Sequence, residues 1–200
     1  MSDDRKRNSR DRKINMNIEV EIKISTPNLN ATREIVRQKG SLVRAIRQID
    51  EYYIPIQRDF FAQKPFPVEW LRIRHNPDKT IFEYDRSINK RKNGAQEYAE
   101  EYETEISNPD EFKKILGFLD FKHVITVDKQ REYWLCGDLE IALDSVKDLG
   151  DFIEVEAKGN FESSSAAKTA CLNFLSELGT SQFEEINKGY PVLLLEKRQK

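Results

Sequence analysis

The sequence predicts an α+β domain: a closed antiparallel β-barrel tunnel, pseudo-twofold, with helices packed outside. Three observations carry this reading. Strands outnumber helices, nearly every strand alternates apolar residues with charges, and one strand–helix unit occurs twice.

The first strand begins at Ile18. Ile18, Val20, Ile22 and Ile24 fall on one face, and Glu19, Glu21, Lys23 and Ser25 on the other. Pro27 to Lys39 reads as an amphipathic helix with Leu29, Ile35 and Val36 as apolar positions and Gly40 as its stop. Further alternating runs are Trp70 to His75, Thr80 to Asp85, Val127 to Trp134, Leu139 to Asp144 and Phe152 to Ala157. Residues 86 to 97, rich in Lys, Arg, Asn and Gly, read as a loop. Asn108-Pro109 caps a helix through Leu119. A last helix is expected from Ser164 to Leu178, burying Ala167, Cys171, Phe174, Leu175 and Leu178 and ending at Gly179. The segment from Glu21 to Pro27 can be laid over Glu103 to Pro109, and Glu51-Tyr52-Tyr53 over Glu132-Tyr133-Trp134. The order of these matches implies an internal duplication.

Composition excludes several function classes. With 200 residues the chain builds one sizeable core, and 38% hydrophobic against 34% charged residues is an ordinary soluble balance. A net charge of -2 gives no global field for nucleic acid or an anionic membrane, so neither is expected as a partner. Residues 1–15 form a basic arm, expected to be disordered, whose cations include Arg5, Lys6, Arg7, Arg10, Arg12 and Lys13; the folded domain is expected over 16–200. Cys136 and Cys171 fit no CxxC pattern, and no apolar run suits a signal peptide or a membrane span. A cytoplasmic location follows as the expectation.

The charged strand faces point to the chemistry. One strand with alternating charge is ordinarily the solvent face of an open sheet. Here Glu19, Glu21 and Lys23 recur in kind as Arg72 with Arg74, Lys129 with Arg131, Glu140 with Asp144, and Glu154 with Glu156. If the apolar faces pack against helices, these charges converge inside a closed sheet and need mutual pairing or a charged ligand. A polyanion with a divalent metal suits both signs: Arg and Lys hold phosphate oxygens, and carboxylates hold Mg²⁺ or Mn²⁺. No GxxxxGK loop is present, and His75 and His123 have no partners at catalytic spacing.

Glu19-Val-Glu-Ile-Lys23 has the ExExK form of the CYTH superfamily, the triphosphate tunnel enzymes. In family order follow Gln48-Ile-Asp50-Glu-Tyr52-Tyr53, Leu71-Arg72-Ile-Arg74, Lys129-Gln-Arg131-Glu132, Leu143-Asp144-Ser-Val146, the run Leu149 to Glu156, and Lys188-Gly-Tyr190. The run from Lys129 to Glu156 most resembles class IV adenylate cyclases. The resemblance implies that Lys23, Arg72, Arg74, Lys129, Arg131 and Lys188 grip the triphosphate. Glu19, Glu21, Asp144, Glu154 and Glu156 would bind metal, with Lys23, Asp144 and Glu156 in catalytic roles; Glu101 and Glu103 are further lumenal candidates. The implied reaction is ATP to cyclic AMP and pyrophosphate. Inorganic or thiamine triphosphate hydrolysis and silent triphosphate binding are the alternatives, and a homodimer is left open. One departure concerns the lysine that family members usually place two residues past a Leu-Thr pair, where this chain has Phe82-Glu83-Tyr84-Asp85-Arg86; a one-residue displacement turns Arg86 to the opposite face unless a bulge restores it. Lys90, Arg91 and Lys92 are candidate substitutes for that cation, and Tyr52, Tyr53, Phe82 and Tyr84 candidate nucleoside contacts. If Arg72 and Arg74 only bind ligand, replacing both with Ala leaves thermal stability similar or higher.

Overall fold

The computed structural model describes residues 20–64, 67–90, 96–179 and 184–199. Eight strands and four α-helices follow one another: β1 (Glu21–Thr26), α1 (Leu29–Lys39), β2 (Ser41–Pro55), β3 (Glu69–His75), β4 (Thr80–Lys90), β5 (Gln96–Glu105), α2 (Pro109–Phe118), β6 (Phe121–Cys136), β7 (Leu139–Val146), β8 (Gly150–Ala157), α3 (Ser164–Glu177) and α4 (Tyr190–Arg198). A 3₁₀ turn, Phe60–Ala62, lies between β2 and β3. The basic arm and Glu19 lie outside the described residues.

All neighbouring strands pair antiparallel in the order β1-β8-β7-β6-β2-β3-β4-β5. Reading that order from either end interchanges β1 with β5, β8 with β4, β7 with β3 and β6 with β2. The unit strand–helix–three strands therefore occurs twice, as the duplicated segments imply. The sheet curls, but among the described residues β1 and β5 do not pair, so hydrogen bonds do not close the barrel as expected. Instead the Ile186 N–H donates to the Lys23 carbonyl at 2.8 Å, satisfying part of the free edge of β1. The β5 edge carries Glu100, Glu101, Glu103 and Glu105, all exposed, and such a charged edge resists pairing with other chains.

Helix starts follow their sequence signals. The side chain of Asn28 accepts from the Ala31 amide at 3.0 Å, and Asn108 from the Glu111 amide at 3.2 Å, with Pro109 in the first turn. Ser163 caps α3 in the same way through Ala166 at 3.1 Å. Helices α1 and α3 cover the convex face of β1, β8 and β7: Leu29, Val36, Cys171, Phe174 and Leu175 pack on Ile22, Ile24, Ile141, Leu143, Ile153 and Val155. Helix α2 does the same for the other half through Leu116 and Phe112 against Tyr53, Ile54, Leu71, Ile73 and Phe82.

Two expectations need correction. Much of the region expected as a loop at 86–97 is strand, since β4 runs to Lys90 and β5 starts at Gln96; pairing across a long hairpin overrides the local loop composition. The fourth helix packs on the concave face, against the expectation that the helices pack outside. Its Tyr190 and Leu194 meet Tyr52, Ile125, Val127, Val146 and Phe152, filling one end of the curled sheet.

Gly40 stops α1 at a point of close approach to β6. A Cβ there would stand 2.4 Å from the Leu135 carbonyl oxygen and 2.4 Å from the Cys136 sulfur. Backbone cannot yield as a flexible side chain does. Gly40→Ala is expected to lower stability by about 1–3 kcal/mol, the usual cost of overpacking, read as a lower denaturant midpoint at unchanged slope.

Candidate active site

The inward faces of the strands carry the chemistry because side chains alternate along each strand. Registers place Lys23 opposite Glu154, Glu21 opposite Glu156, and Arg131 opposite Asp144, all on the concave side. Arg72 stands opposite Glu83, and Arg74 is held beside Asp50.

In one half, the Arg131 guanidinium forks onto Asp144: Nε donates to Oδ1 at 2.6 Å and Nη2 to Oδ2, while Nη2 also reaches Glu154. The Tyr190 hydroxyl donates to the same Asp144 Oδ2 at 2.7 Å. Asp144, with its side chain fully enclosed, thus receives three donors and fixes the orientation of Arg131. Lys23 Nζ lies 3.0 Å from Glu154 and 3.8 Å from Glu21, over the Tyr190 ring at 4.7 Å. Lys129 Nζ approaches that ring at 5.4 Å.

In the other half, Arg74 donates to both oxygens of Asp50, at 2.8 and 3.0 Å. Arg72 donates to Glu83 and, at 3.2 Å, to the Tyr52 hydroxyl. Asp85 also points inward, 3.8 Å from Arg72, whereas Arg86 stands opposite Glu69 on the outer face. No bulge interrupts this ladder, so the displaced cation is not restored to the lumen. Lys90 side-chain placement, Arg91 and Lys92 lie outside the described residues.

The electrostatics follow from burial among both signs. Burial, aided by the neighbouring charge of Arg131, lowers the Lys129 ammonium to about 8. Burial works against ionisation of Glu154 and Asp50 too, yet Arg131 and Lys23 hold the first, and Arg74 and Arg72 the second, well below the usual carboxylate range. Glu21 at the rim is raised to about 7, above all by the charge of Glu154. Asp85 is pushed up to about 8, first by burial and then by its hydrogen bond to Glu83. Arg72, 3.8 Å from Asp85, and Arg74, 3.6 Å from Glu83, are the cations that face this carboxyl pair.

The remaining residues sort by place. Glu156, half-buried, binds Lys158 at 2.7 Å. Lys188 is not brought to the lumen cluster; it is half-buried, 2.6 Å from Glu196. Glu101 and Glu103 share the face of Asp85 and Glu83 on β5 but are exposed. Tyr53, Phe82 and Tyr84 pack on the outer face, which removes them as nucleoside contacts, and Tyr52 is buried under α4. Sequence reasoning missed Asp50 and Glu83 as arginine partners; their inward parity beside Arg74 and Arg72 was the available signal. The double-arginine expectation also changes. Asp50 is 1% and Glu83 2% exposed, so deleting the arginines strands two buried carboxylates, and stability falls.

The CYTH domain family matches residues 17–190. The protein named "Putative adenylate cyclase MJ0240" from Methanocaldococcus jannaschii is 29% identical over 176 residues, covering 86% of this chain and 96% of its own. Among solved structures, the PH1819 protein from Pyrococcus horikoshii OT3 is 31% identical with a TM-score of 0.71, covering 90% of this chain and 99% of its own. HpAC1 from Hippeastrum, whose structural description reports a dominant triphosphatase activity, shares the fold at 15% identity and a TM-score of 0.63, over 92% and 96% of the two chains. No helix among the described residues is long and apolar enough to cross a membrane. With the ExExK motif, the doubled strand–helix unit and a family match over most of its length, this chain belongs to the CYTH family of triphosphate tunnel proteins.

Proposed function

We propose that the protein is a metal-dependent enzyme that holds a nucleoside triphosphate in the lumen and converts ATP to cyclic AMP and pyrophosphate. One observation carries this reading: Lys23, Arg72, Arg74, Lys129 and Arg131, from three strands, face one concavity and, among the described residues, hold only carboxylate or tyrosine partners there. The named relative from Methanocaldococcus jannaschii supports the choice of reaction. In that reaction the ribose 3′-hydroxyl passes its proton to water, its oxygen bonds to the α-phosphorus, and the bond from the α-phosphorus to the bridging oxygen breaks with its electron pair leaving on pyrophosphate. Arg131, oriented by Asp144, and Lys23 would take phosphate oxygens and spread the charge that develops on the leaving group.

The residues fit a divalent metal. Glu21 and Glu156 stand side by side in register, and Glu154 crowds Glu21 strongly enough to raise it toward neutrality, which marks a surplus of carboxylate charge. Among the described residues no ready-made cage of three His, Cys, Asp or Glu ligands exists. That suits Mg²⁺ or Mn²⁺ held by one or two carboxylates together with substrate phosphates. Glu21 and Glu156 would hold it, with Glu154 and Asp144 reaching it only on release from Arg131; Glu19, which the ExExK motif assigns to the same role, lies outside the described residues. A divalent ion held by these carboxylates would supply positive charge to offset that of the phosphates and of the leaving pyrophosphate.

A second reading, hydrolysis of the terminal phosphate, is favoured by Asp85. Where family members place a lysine, the lumen here has an acid, which weakens the cationic grip on that side. The description of HpAC1 is in keeping with it.

Purified protein with ATP and Mg²⁺ or Mn²⁺ is expected to yield cyclic AMP and pyrophosphate, and none in chelator. Orthophosphate without cyclic nucleotide, identified by chromatography, would select the hydrolase. Arg74→Ala is expected to lose about 3–5 kcal/mol of stability, partly restored by adding Asp50→Asn. Since a charge-assisted bond contributes about 1.5–3 kcal/mol, Arg72→Ala with Arg74→Ala should weaken tripolyphosphate binding on the order of 100-fold or more. Asp85 sets a pH dependence. With its folded value raised to about 8, its contribution is fully present below the unfolded value near 3.8 and is lost as pH rises to about 8. Asp85→Asn keeps a donor for Glu83 and cannot ionise. Its melting temperature relative to wild type should therefore climb between about pH 4 and 8 and level off above; a flat difference across a pH series would show an uncoupled Asp85.

A further inference from the structure

The duplication equips the lumen with two corresponding tyrosines, Tyr52 on β2 and Tyr133 on β6, each following a glutamate in the matched runs. Their surroundings have diverged. Tyr52 is 5% exposed, with Trp70 and Phe61 packed edge-on at 6.1 and 6.5 Å and α4 completing the cover. Among the described residues helix α4 has no counterpart in the other half. The equivalent end around Tyr133 is therefore left uncovered by them: Tyr133 is half-buried, and its neighbours Ser41, Arg44 and Leu135 are exposed.

Arg44 reaches this end on the regular part of the ladder. The pairing of β2 with β6 runs unbroken from Tyr52 opposite Ile125 to Arg44 opposite Tyr133, so Arg44 shares the inward face of Gln48 and Asp50. Leu42 then pairs with Trp134, leaving Val43 as an extra residue just beyond it. Its guanidinium carbon lies 4.2 Å from the centre of the Tyr133 ring. Among the described residues its partner is this ring and not a carboxylate, unlike Arg72, Arg74 and Arg131. Arg131 stands 5.5 Å from the same ring centre, so the platform is continuous with the lumen cations.

We propose that Tyr133 and Arg44 form a stacking platform at the uncovered tunnel mouth for the planar heteroaromatic group of a nucleoside triphosphate, the nucleobase, while the inner cations hold the phosphates. A tyrosine ring and a guanidinium plane both stack on a base, and neither demands a particular hydrogen-bond pattern. The platform therefore selects for a base over bare polyphosphate more than for one base over another. This inference rests on the reading of the lumen as a triphosphate site.

The test compares ATP with inorganic tripolyphosphate by calorimetry, in wild type, Tyr133→Ala, Tyr133→Phe and the surface variant Arg44→Ala, each checked for an unchanged melting transition. Tyr133→Ala is expected to weaken ATP by about 5- to 100-fold, as loss of one stacked base implies, and to leave tripolyphosphate within about twofold. Tyr133→Phe should retain ATP, and Arg44→Ala should show the same ligand-selective loss as Tyr133→Ala. Equal losses for both ligands would overturn the platform by assigning these residues to the phosphate grip. No loss, or a wild type that binds ATP no better than tripolyphosphate, would overturn it while leaving the triphosphate reading intact. A wild type that binds neither ligand would remove that reading and the platform together.

Discussion

The Arg131–Asp144–Glu154 cluster shows the constraint on which the rest depends: charge taken inside the curled sheet must be neutralised there. An unpaired ion in such a place costs several kcal/mol, so Arg131, Arg72 and Lys23 each meet an acid on a neighbouring strand, whereas Lys129, with Gln48 and Val146 opposite it, is lowered to about 8. Strand register supplies the acids. Arg131 meets Asp144 across β6 and β7, Arg72 meets Glu83 across β3 and β4, and Lys23 meets Glu154 across β1 and β8. A one-residue slip would turn each of these groups to the helix-covered face, where the apolar layers of α1, α2 and α3 offer nothing to pair with. The same pairs that equip the site therefore help to specify the register.

A self-neutralised lumen also explains why metal and polyphosphate belong together in the proposed chemistry. Phosphate alone must displace carboxylates from Lys23 and Arg131, leaving those acids without partners. A divalent cation alone must strip the acids from the cations. Supplied together they exchange partners, phosphate oxygens to the cations and metal to the carboxylates, and no charge is left uncompensated. The raised Glu21 marks where the existing balance is poorest on one side, and the carboxyl pair Glu83–Asp85 marks it on the other.

Duplication followed by asymmetry shapes the two ends. The repeat builds equivalent halves, but α4 fills one end with Tyr190 and Leu194 and brings the Tyr190 hydroxyl onto Asp144. One helix thereby closes a mouth, buries Tyr52 and helps to fix the arginine nearest the open side.

Much of this was legible in the chain itself. Period-two alternation of charge and aliphatic residues places Lys23, Arg72, Arg74, Lys129, Arg131 and Glu154 on strand faces opposite the core, and Asn108-Pro109 and Gly40 mark helix ends, because these are local patterns of side-chain direction and backbone capping. The duplicated segments anticipated the pseudo-twofold sheet for the same reason. Partner choice was not local. That Asp50 would neutralise Arg74, that Asp144 would be saturated by Arg131 and Tyr190, that Lys188 would stay outside and that Asp85 would face inward all depend on which strands lie side by side and on the absence of a bulge in β4. The position of α4 was equally hidden, since a nine-residue apolar helix fits a convex or a concave face alike until the sheet has curled around it. The sequence by itself determined the strands, their two faces and their repeat; tertiary structure decided which charges meet and which mouth stays open, because both are set by distances between residues far apart in the chain.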